Sequence, residues 1–262
     1  MTFKIGLAQT RRPEDGDMLA CARHFADQAK KEGVDILVFH EAFMNPYELN
    51  VEEFLAAAES LDGPYASAMD SLAKEFGFYL VYCVNEKNAA GDKPYNTTVM
   101  TDDSGTQIGV YRKIHLFDAG HYHESAKMTP GDKLSHPITT PFGKIGLGIC
   151  YDLRFPEFAR KAALEGCELL IYPSAWVAGP HKREQWETLL RARAIENEIF
   201  VAGVSRADSN YVGSSLVIDP FGRILARGTM GNDLICAEID FDVVKEARAK
   251  IPVFNHRRID LY

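Results

Sequence analysis

Residues 144–157, Lys-Ile-Gly-Leu-Gly-Ile-Cys-Tyr-Asp-Leu-Arg-Phe-Pro-Glu, contain the transition that decides the fold. The apolar, glycine-spaced first half predicts a buried strand that ends at Cys150, and Pro156 marks the first turn of a helix. A thiol at such a junction is held by the sheet, and unpaired backbone N–H groups just beyond it can bind a developing oxyanion. The position suits a nucleophile, although a free cysteine in an apolar strand is more often a small core residue.

Short apolar runs alternate with amphipathic stretches on both sides of this junction. Strands are predicted at 3–8, 36–39, 78–84, 97–101, 107–111, 145–150, 169–172, 199–204, 214–218, 224–226 and 234–239, and helices at 17–31, 65–76, 156–165, 183–197 and 241–249. Residues 102–105 and 219–222 predict hairpin turns. The pattern is typical of an α/β protein with mixed sheets and outer helices. Since no proline- or serine-rich linker divides the sequence, we expect a single domain over residues 1–262.

The composition argues against several classes of partner. The 262 residues carry a net charge of −8 and no long basic run, so nucleic acid is not expected to be the main partner. No stretch approaches ~18 uninterrupted apolar residues, and the first residues resemble a strand more than a signal peptide, so no membrane partner is expected. Five scattered cysteines predict neither a disulfide framework nor a zinc site, and they favour a reducing, cytoplasmic location.

A carboxylate follows another predicted strand. The strand 36–39 runs out into His40 and Glu41, so Glu41 occupies the same kind of position as Cys150. Burial would raise the pKa of a carboxyl group there and make it a base. Considered alone, a solvated glutamate at the end of a strand is the more common interpretation.

Lys113 follows the predicted strand 107–111 in a mostly apolar stretch. A buried ammonium group must be paired, so Lys113 implies a carboxylate partner or an anionic intermediate. The alternative is a surface lysine on a hairpin strand. His115 could instead form a Cys-His dyad with Cys150. Three further histidines have an irregular spacing that is typical of no metal site: His121, His123 and His136.

Three segments taken together resemble the nitrilase (carbon–nitrogen hydrolase) superfamily. They are residues 39–41 (Phe-His-Glu), 111–118 (Tyr-Arg-Lys-Ile-His-Leu-Phe-Asp) and 148–157. The resemblance covers nearly the whole chain, through residues 5–9, 172–176, 190–196, 219–222 and 257–262. It implies a four-layer α-β-β-α sandwich of two mixed sheets with outer helices, and a Glu-Lys-Cys triad. One departure is His40, because the family usually has proline before the first glutamate.

Carried over position by position, the resemblance implies that Glu41 is the general base, Lys113 the oxyanion stabiliser and Cys150 the nucleophile. A second family glutamate matches Glu124, which would orient Lys113 or position the substrate. Glu41 would take the thiol proton as Cys150 attacks an amide carbonyl, and ammonia would leave a thioester that water then hydrolyses. The backbone N–H of Tyr151 would also bind the oxyanion. This chemistry requires no metal and no organic cofactor.

The segments 191–196 and 251–258 are most similar to the small amidases. These include the ω-amidases, which act on 2-oxoglutaramate-type acids, and the deaminated glutathione amidases. Both kinds of substrate carry carboxylates, so we expect a cation in the pocket. Arg154 matches a substrate-carboxylate arginine of the carbamoylase branch, and its alternative role is an ion pair with Asp152 or Glu157. The predicted substrate contacts are Tyr151, Arg154, Trp176, Phe43 and Tyr47, with packing an equally open role for the last three.

Two other functions stay open at this point. One is hydrolysis of an N-carbamoyl compound, which would release carbon dioxide as well as ammonia. The other is a non-catalytic binding protein on the same fold. The stretch 117–130 is shorter than expected for an ω-amidase, so the sequence does not decide the physiological amide. The resemblance also implies a homodimer or larger homo-oligomer that uses the helix after Cys150 and the C-terminal tail, where a partner would bury Phe254 and Tyr262.

Overall fold

The computed structural model describes residues 2–91 and 93–261. The strands are β1 (Thr2–Gln9), β2 (Ile36–Phe39), β3 (Tyr79–Glu86), β4 (Tyr95–Thr101), β5 (Gln107–Arg112), β6 (Asp118–Ala119), β7 (Tyr122–His123), β8 (Ile138–Thr140), β9 (Gly143–Leu147), β10 (Leu169–Ser174), β11 (Phe200–Ser205), β12 (Ala207–Asp208), β13 (Tyr211–Val212), β14 (Leu216–Ile218), β15 (Ile224–Arg227) and β16 (Asp233–Asp240). The helices are α1 (Met18–Lys31), α2 (Val51–Ala56), α3 (Pro64–Phe76), α4 (Pro156–Leu164), α5 (Lys182–Asn197), α6 (Asp242–Lys250) and α7 (Val253–His256). Two 3₁₀ helices span Glu124–Ala126 and Cys150–Arg154.

Twelve of the strands form two six-stranded mixed sheets. Their orders are β16-β1-β2-β3-β4-β5 and β15-β14-β11-β10-β9-β8. In the first sheet β1, β2 and β3 are parallel, and the outer strands pair antiparallel. In the second sheet β9, β10 and β11 are parallel, again with antiparallel strands outside them. Two short hairpins, β6–β7 and β12–β13, pair separately.

The apolar run of β2 shows how the layers stack. Ile36 and Val38 belong to the core between the sheets, whereas Leu37 and Phe39 pack on the opposite face with residues of α1 and α3. All four side chains are fully buried, as expected for a parallel strand covered on both faces. One outer layer is therefore formed by α1 and α3.

The other outer layer is formed by α4 and α5, which pack against the second sheet. Phe158 of α4 and Trp186 of α5 belong to the same core cluster as the second sheet. A Cβ atom on Gly203 of β11 would lie 2.7 Å from the Trp186 ring, so glycine at this position lets α5 approach the sheet closely. The predicted four-layer α-β-β-α sandwich is confirmed. None of the helices in residues 2–91 and 93–261 is both long and apolar enough to span a membrane.

The predicted helices and strands are all present, the structure adds short elements such as α2 and α7, and the predicted end that differs most lies before Cys150. The strand β9 ends at Leu147, and Cys150 begins a 3₁₀ helix, so the prediction of a strand that ends at Cys150 is wrong. Since the side chain of Asp152 accepts a hydrogen bond from the backbone N–H of Ile149, the chain turns before it reaches the thiol. The hairpin turns predicted at 102–105 and 219–222 are confirmed.

The topology brings the ends of several strands to one edge. The strands β2 and β5 run in the same direction, because β3 is parallel to β2 and two antiparallel steps lead from β3 to β5. Residues that follow β2 and β5 therefore emerge together. Gln9, at the end of β1, ties this edge to the second sheet: its side chain accepts from the N–H of Ser215 at 2.9 Å and donates to the carbonyl of Thr229 at 2.9 Å.

Candidate active site

Cys150 lies on a sharp turn between β9 and α4. Its φ of 43° is unusual for a non-glycine residue, and the side chain is buried. The fully buried carboxylate of Asp152 braces the turn by accepting from the Ile149 N–H at 2.9 Å and from the Tyr111 hydroxyl at 2.8 Å. Since Tyr111 belongs to β5, this carboxylate joins the turn of the thiol to the strand that leads to Lys113.

His115 contacts the same carboxylate. Its Nδ1 lies 2.7 Å from Asp152 Oδ1, and its ring stacks on Phe155 with the centroids 3.6 Å apart. His115 thus supports the turn through Asp152, and among the described residues no hydrogen bond joins it to Cys150 as a Cys-His dyad would require.

Glu41 is held by four hydrogen-bond donors. Its Oε1 accepts from Lys113 Nζ at 2.8 Å, from Asn96 Nδ2 at 2.7 Å and from the Tyr47 hydroxyl at 2.7 Å. Its Oε2 accepts from the backbone N–H of Ala175 at 2.8 Å. A solvated glutamate is thus contradicted, because Glu41 is 1% exposed and its orientation is fixed from both sheets.

Lys113 lies between two carboxylates. Its Nζ is 2.8 Å from Glu41 Oε1 and 2.9 Å from both carboxylate oxygens of Glu124. The side chain is 2% exposed, so the alternative of a surface lysine is wrong. The Phe117 N–H donates to Glu124 Oε2 at 2.6 Å and fixes the second carboxylate in turn.

The protonation states follow from these contacts. Burial raises the pKa of Glu41, but Lys113 and the hydrogen bonds outweigh it and hold the pKa below its usual value. The net shift of the Glu41 pKa is therefore downward, opposite to the raised pKa that the sequence predicts. Burial lowers the pKa of Lys113, but the two carboxylates more than compensate and hold it well above its usual value. Burial and the charge of Glu41 raise the pKa of the Cys150 thiol. The same two causes raise the pKa of Glu124, although Lys113 acts in the opposite direction. These shifts favour an ionised Glu41 beside a protonated Cys150 thiol.

These groups open into a cavity of about 360 Å³. It is lined by Glu41, Tyr47, Lys113, Phe117, His121, Tyr122, His123, Glu124, Ala126, Lys127, Met128, Cys150, Ala175, Val177 and Tyr211. The exposed side chains of His121 and His123 belong to the β6–β7 hairpin at its rim, whereas His136 pairs with Glu165 elsewhere.

The predicted substrate contacts occupy three different environments. Tyr47 lines the main cavity, and Tyr151, Arg154 and Trp176 line a small side pocket that also contacts Cys150. The prediction that Phe43 contacts the substrate is wrong. Its side chain is fully buried, packs against Phe39 and His40, and lines neither cavity.

Arg154 makes neither of the ion pairs proposed as its alternative role. Its Nη2 donates to Gln185 Oε1 at 2.8 Å, and its guanidinium carbon lies 4.8 Å from the Trp176 ring centroid. Among residues 2–91 and 93–261, no carboxylate pairs with it within 4 Å, so neither Asp152 nor Glu157 neutralises this cation.

Sequence reasoning missed Asn96, Ala175 and the bracing role of Asp152. Asn96 reaches Glu41 only because β4 pairs with β5, where the carbonyl of Asn96 accepts from the Lys113 N–H at 2.8 Å. Ala175 acts through its backbone, for which a sequence carries no signal. For Asp152, the signal in the sequence is a charged residue in a mostly apolar stretch, two positions after Cys150.

Comparisons with known proteins point to one enzyme family. The carbon-nitrogen hydrolase family matches residues 4–249. Human omega-amidase NIT2 is 36% identical over 274 residues, covering 100% of this chain and 97% of its own. The crystal structure of Saccharomyces cerevisiae Nit3, a member of branch 10 of the nitrilase superfamily, superposes with a TM-score of 0.87 at 34% identity, covering 98% of this chain and 97% of that one.

The NitFhit protein of C. elegans has a similar fold. Its crystal structure gives a TM-score of 0.93 at 32% identity over 100% of this chain, which spans 66% of the NitFhit chain. The predicted resemblance is confirmed by a family match over most of the chain and by full-length relatives. The chain therefore belongs to the carbon–nitrogen hydrolase family of the nitrilase superfamily.

Proposed function

We propose that the protein is an ω-amidase-like hydrolase that converts a small, carboxylate-bearing amide to an acid and ammonia. The observation that carries the proposal is the buried Lys113 ammonium held between Glu41 and Glu124 in the cavity of Cys150. Relatives from human and Saccharomyces cerevisiae are named omega-amidases and align with nearly the whole chain. Neither N-carbamoyl hydrolysis nor a non-catalytic role is favoured by these relatives.

Acylation begins with proton transfer. Glu41, ionised at rest, takes the proton of the Cys150 thiol as the sulfur attacks the amide carbonyl. The carbonyl oxygen becomes an oxyanion that the Lys113 ammonium and the Tyr151 backbone N–H bind. One such donor typically lowers the barrier by about 3 kcal/mol.

The intermediate then collapses to a thioester. Glu41 returns the proton to the leaving nitrogen, the C–N bond breaks, and ammonia departs. Glu41 next takes a proton from water, which attacks the thioester and releases the acid and the thiol. Asn96, Tyr47 and Ala175 keep Glu41 in place through both steps, because each donates a hydrogen bond to its carboxylate.

The substrate carboxylate is assigned to the side pocket. Arg154 presents a guanidinium group that no carboxylate neutralises within residues 2–91 and 93–261, and Trp176 supports it from one face. Tyr151 lines the same pocket and Tyr47 lines the main cavity, so these residues would contact the chain of the substrate.

A screen of ammonia release tests the proposal. The amides are 2-oxoglutaramate, 2-oxosuccinamate, deaminated glutathione and an N-carbamoyl amino acid. We expect turnover of at least one of the first three, loss of turnover in Cys150→Ser, and full turnover in Cys236→Ser, because Cys236 lies on β16 at a distance from the cavity. Ammonia release that persists in Cys150→Ser, or carbon dioxide release from the carbamoyl compound alone, would contradict it.

We further propose a cytoplasmic, single-domain protein that forms a homodimer or larger homo-oligomer. The shared core between the two sheets supports a single domain. Three exposed apolar residues of the C-terminal segment support an interface there: Ile251, Ile259 and Leu261. Phe254, expected to be exposed, is half-buried between the guanidinium groups of Arg160 and Arg248, and Tyr262 lies outside the described residues. Sedimentation equilibrium checks the proposal, and a monomer at assay concentration would contradict it.

A further inference from the structure

Lys182 is a second cation in the side pocket, and sequence reasoning did not single it out. The pocket has a volume of about 20 Å³, and its lining includes Tyr151, Arg154, Trp176 and Lys182. Four further lining residues are shared with the main cavity: Phe117, Cys150, Ala175 and Val177. The pocket is thus a side branch of the catalytic cavity, with room for about one small polar group.

The position of Lys182 is fixed at its backbone. It is the first residue of α5, and its carbonyl accepts from the Trp176 indole N–H at 3.0 Å. Its ammonium lies 5.5 Å from the ring centroid of Phe117. Trp176 therefore anchors the backbone of Lys182, and the ammonium group lies over the ring of Phe117 on another wall of the pocket.

The charge of this pair is not balanced by protein groups. Partial burial and the nearby Arg154 lower the pKa of Lys182, while Cys150 raises it. The pocket lining contains two cations and no carboxylate, and within residues 2–91 and 93–261 neither cation forms an ion pair with an acidic side chain. Two half-buried cations that repel each other beside a nucleophile form a site that favours an anion.

We infer that Lys182, together with Arg154, binds the remote carboxylate of the substrate and so determines preference for anionic over neutral amides. The inference rests on the proposed function, which places the scissile amide at Cys150. A carboxylate has two oxygens, so one can accept from the Arg154 fork and the other from the Lys182 ammonium. The substrate class is then a short dicarboxylic acid monoamide, with one end at the thiol and the other in the side pocket.

Paired substrates separate this role from other roles of Lys182. Glutaramate carries the carboxylate, and valeramide is a neutral amide with the same number of carbons. We expect Lys182→Met to lower kcat/KM for glutaramate roughly 10- to 100-fold, mainly through KM, as for loss of one charge-assisted hydrogen bond. Valeramide hydrolysis should be unchanged, and Lys182→Arg should retain the preference for glutaramate.

Arg183 provides the matched control. It is the next residue of α5 and is exposed, and its guanidinium contacts the Met230 sulfur outside the pocket. Arg183→Met removes the same charge nearby and should leave both substrates unaffected. An equal loss on both amides in Lys182→Met would overturn the inference, since it would indicate oxyanion binding or structural support. No loss on either amide, or the same loss in Arg183→Met, would also overturn it.

A binding measurement keeps this inference separate from the proposed function. Glutarate contains no scissile amide, and its affinity can be measured by isothermal titration calorimetry. We expect glutarate to bind the wild type and to bind Lys182→Met roughly 10-fold or more weakly. If no amide is hydrolysed, the proposed function fails while this difference still supports the subsite. If amides are hydrolysed but glutarate binds both proteins equally, the subsite fails alone.

Discussion

At the scale of the residue, the site depends on a carboxylate that stays ionised although it is buried. Four donors surround Glu41, and one of them is an ammonium. A neighbouring acid, Glu124, shares the same ammonium and has a raised pKa. The two acids are therefore unequal, and the proposed mechanism gives Glu41 the role of the base and Glu124 that of holding Lys113 in place.

Replacing the base tests this division of roles. Glu41→Gln preserves the size of the side chain but cannot accept the thiol proton, so we expect kcat to fall by roughly 10²- to 10⁴-fold. Glu48→Gln is the control, because Glu48 pairs with Arg206 and does not line the cavity. Steady-state ammonia release measures both variants. Glu41→Gln activity close to that of Glu48→Gln would assign the base elsewhere.

The pH dependence of kcat/KM distinguishes the base from a histidine. Because Lys113 and the other donors hold the pKa of Glu41 below its usual value, Glu41 remains a base until the pH falls through that lowered pKa. We expect kcat/KM to stay level as the pH is lowered through ~6.5, the usual histidine pKa, and to fall only in strongly acidic solution. A fall centred near 6.5 would instead indicate that a histidine controls the reaction.

At the scale of the element, the turn that carries Cys150 lies beyond the end of its strand. The strand β9 ends at Leu147, and the buried Asp152 carboxylate replaces the missing support. It contacts the turn through Ile149 and the strand β5 through Tyr111. The nucleophile and the segment of Lys113 are thereby kept in one arrangement.

Removing this charge should loosen the turn. Asp152→Asn keeps the shape but weakens the contacts to His115 and Tyr111, so we expect a lower kcat with little change in KM. The free energy of unfolding should fall by about 1–3 kcal/mol, since buried donors lose a charged acceptor. Asp208→Asn, in the β12–β13 hairpin, is the control. Urea unfolding and steady-state kinetics measure both effects, and an unchanged kcat would show that the turn needs no brace.

The elements also explain what a sequence can and cannot indicate here. The run Ile36–Phe39 and the hairpin turns are local, so pattern and turn chemistry located them correctly. The contact between Asn96 and Glu41 depends on strand pairing between β4 and β5, and no local pattern encodes it. Phe43 differs from its prediction for the same reason, since its side chain packs in the helix-facing core.

At the scale of the whole molecule, the site exists only where the two sheets meet. Glu41 and Lys113 follow strands of the first sheet, while Cys150 and Ala175 follow strands of the second. The side chain of Gln9 joins the sheets beside this edge. The relative position of the sheets therefore sets the geometry of the reacting groups.

Gln9→Leu should weaken this connection. The buried Ser215 N–H would lose its acceptor, which costs about 1–3 kcal/mol, and the carbonyls of Thr229 and Gly231 would each lose one donor. We expect a lower midpoint in urea and a reduced kcat. Gln28→Leu on α1 is the control. Within the described residues, the Gln28 side chain hydrogen-bonds His24 of the same helix and does not reach the second sheet. A Gln9→Leu protein as stable as the control would show that the sheets are held by apolar packing alone.

The central claim is that Cys150 forms a thioester. An amide and an ester of the same acid should then pass through the same acyl-enzyme. Partitioning with hydroxylamine tests it most directly, because hydroxylamine competes with water for the same acyl group. The measurement is the ratio of hydroxamate to free acid when the enzyme acts on an amide and on the methyl ester of the same acid. A thioester predicts one ratio for both substrates, and loss of both products in Cys150→Ser. Different ratios for amide and ester, or hydrolysis without any hydroxamate, would contradict a common acyl-enzyme on Cys150.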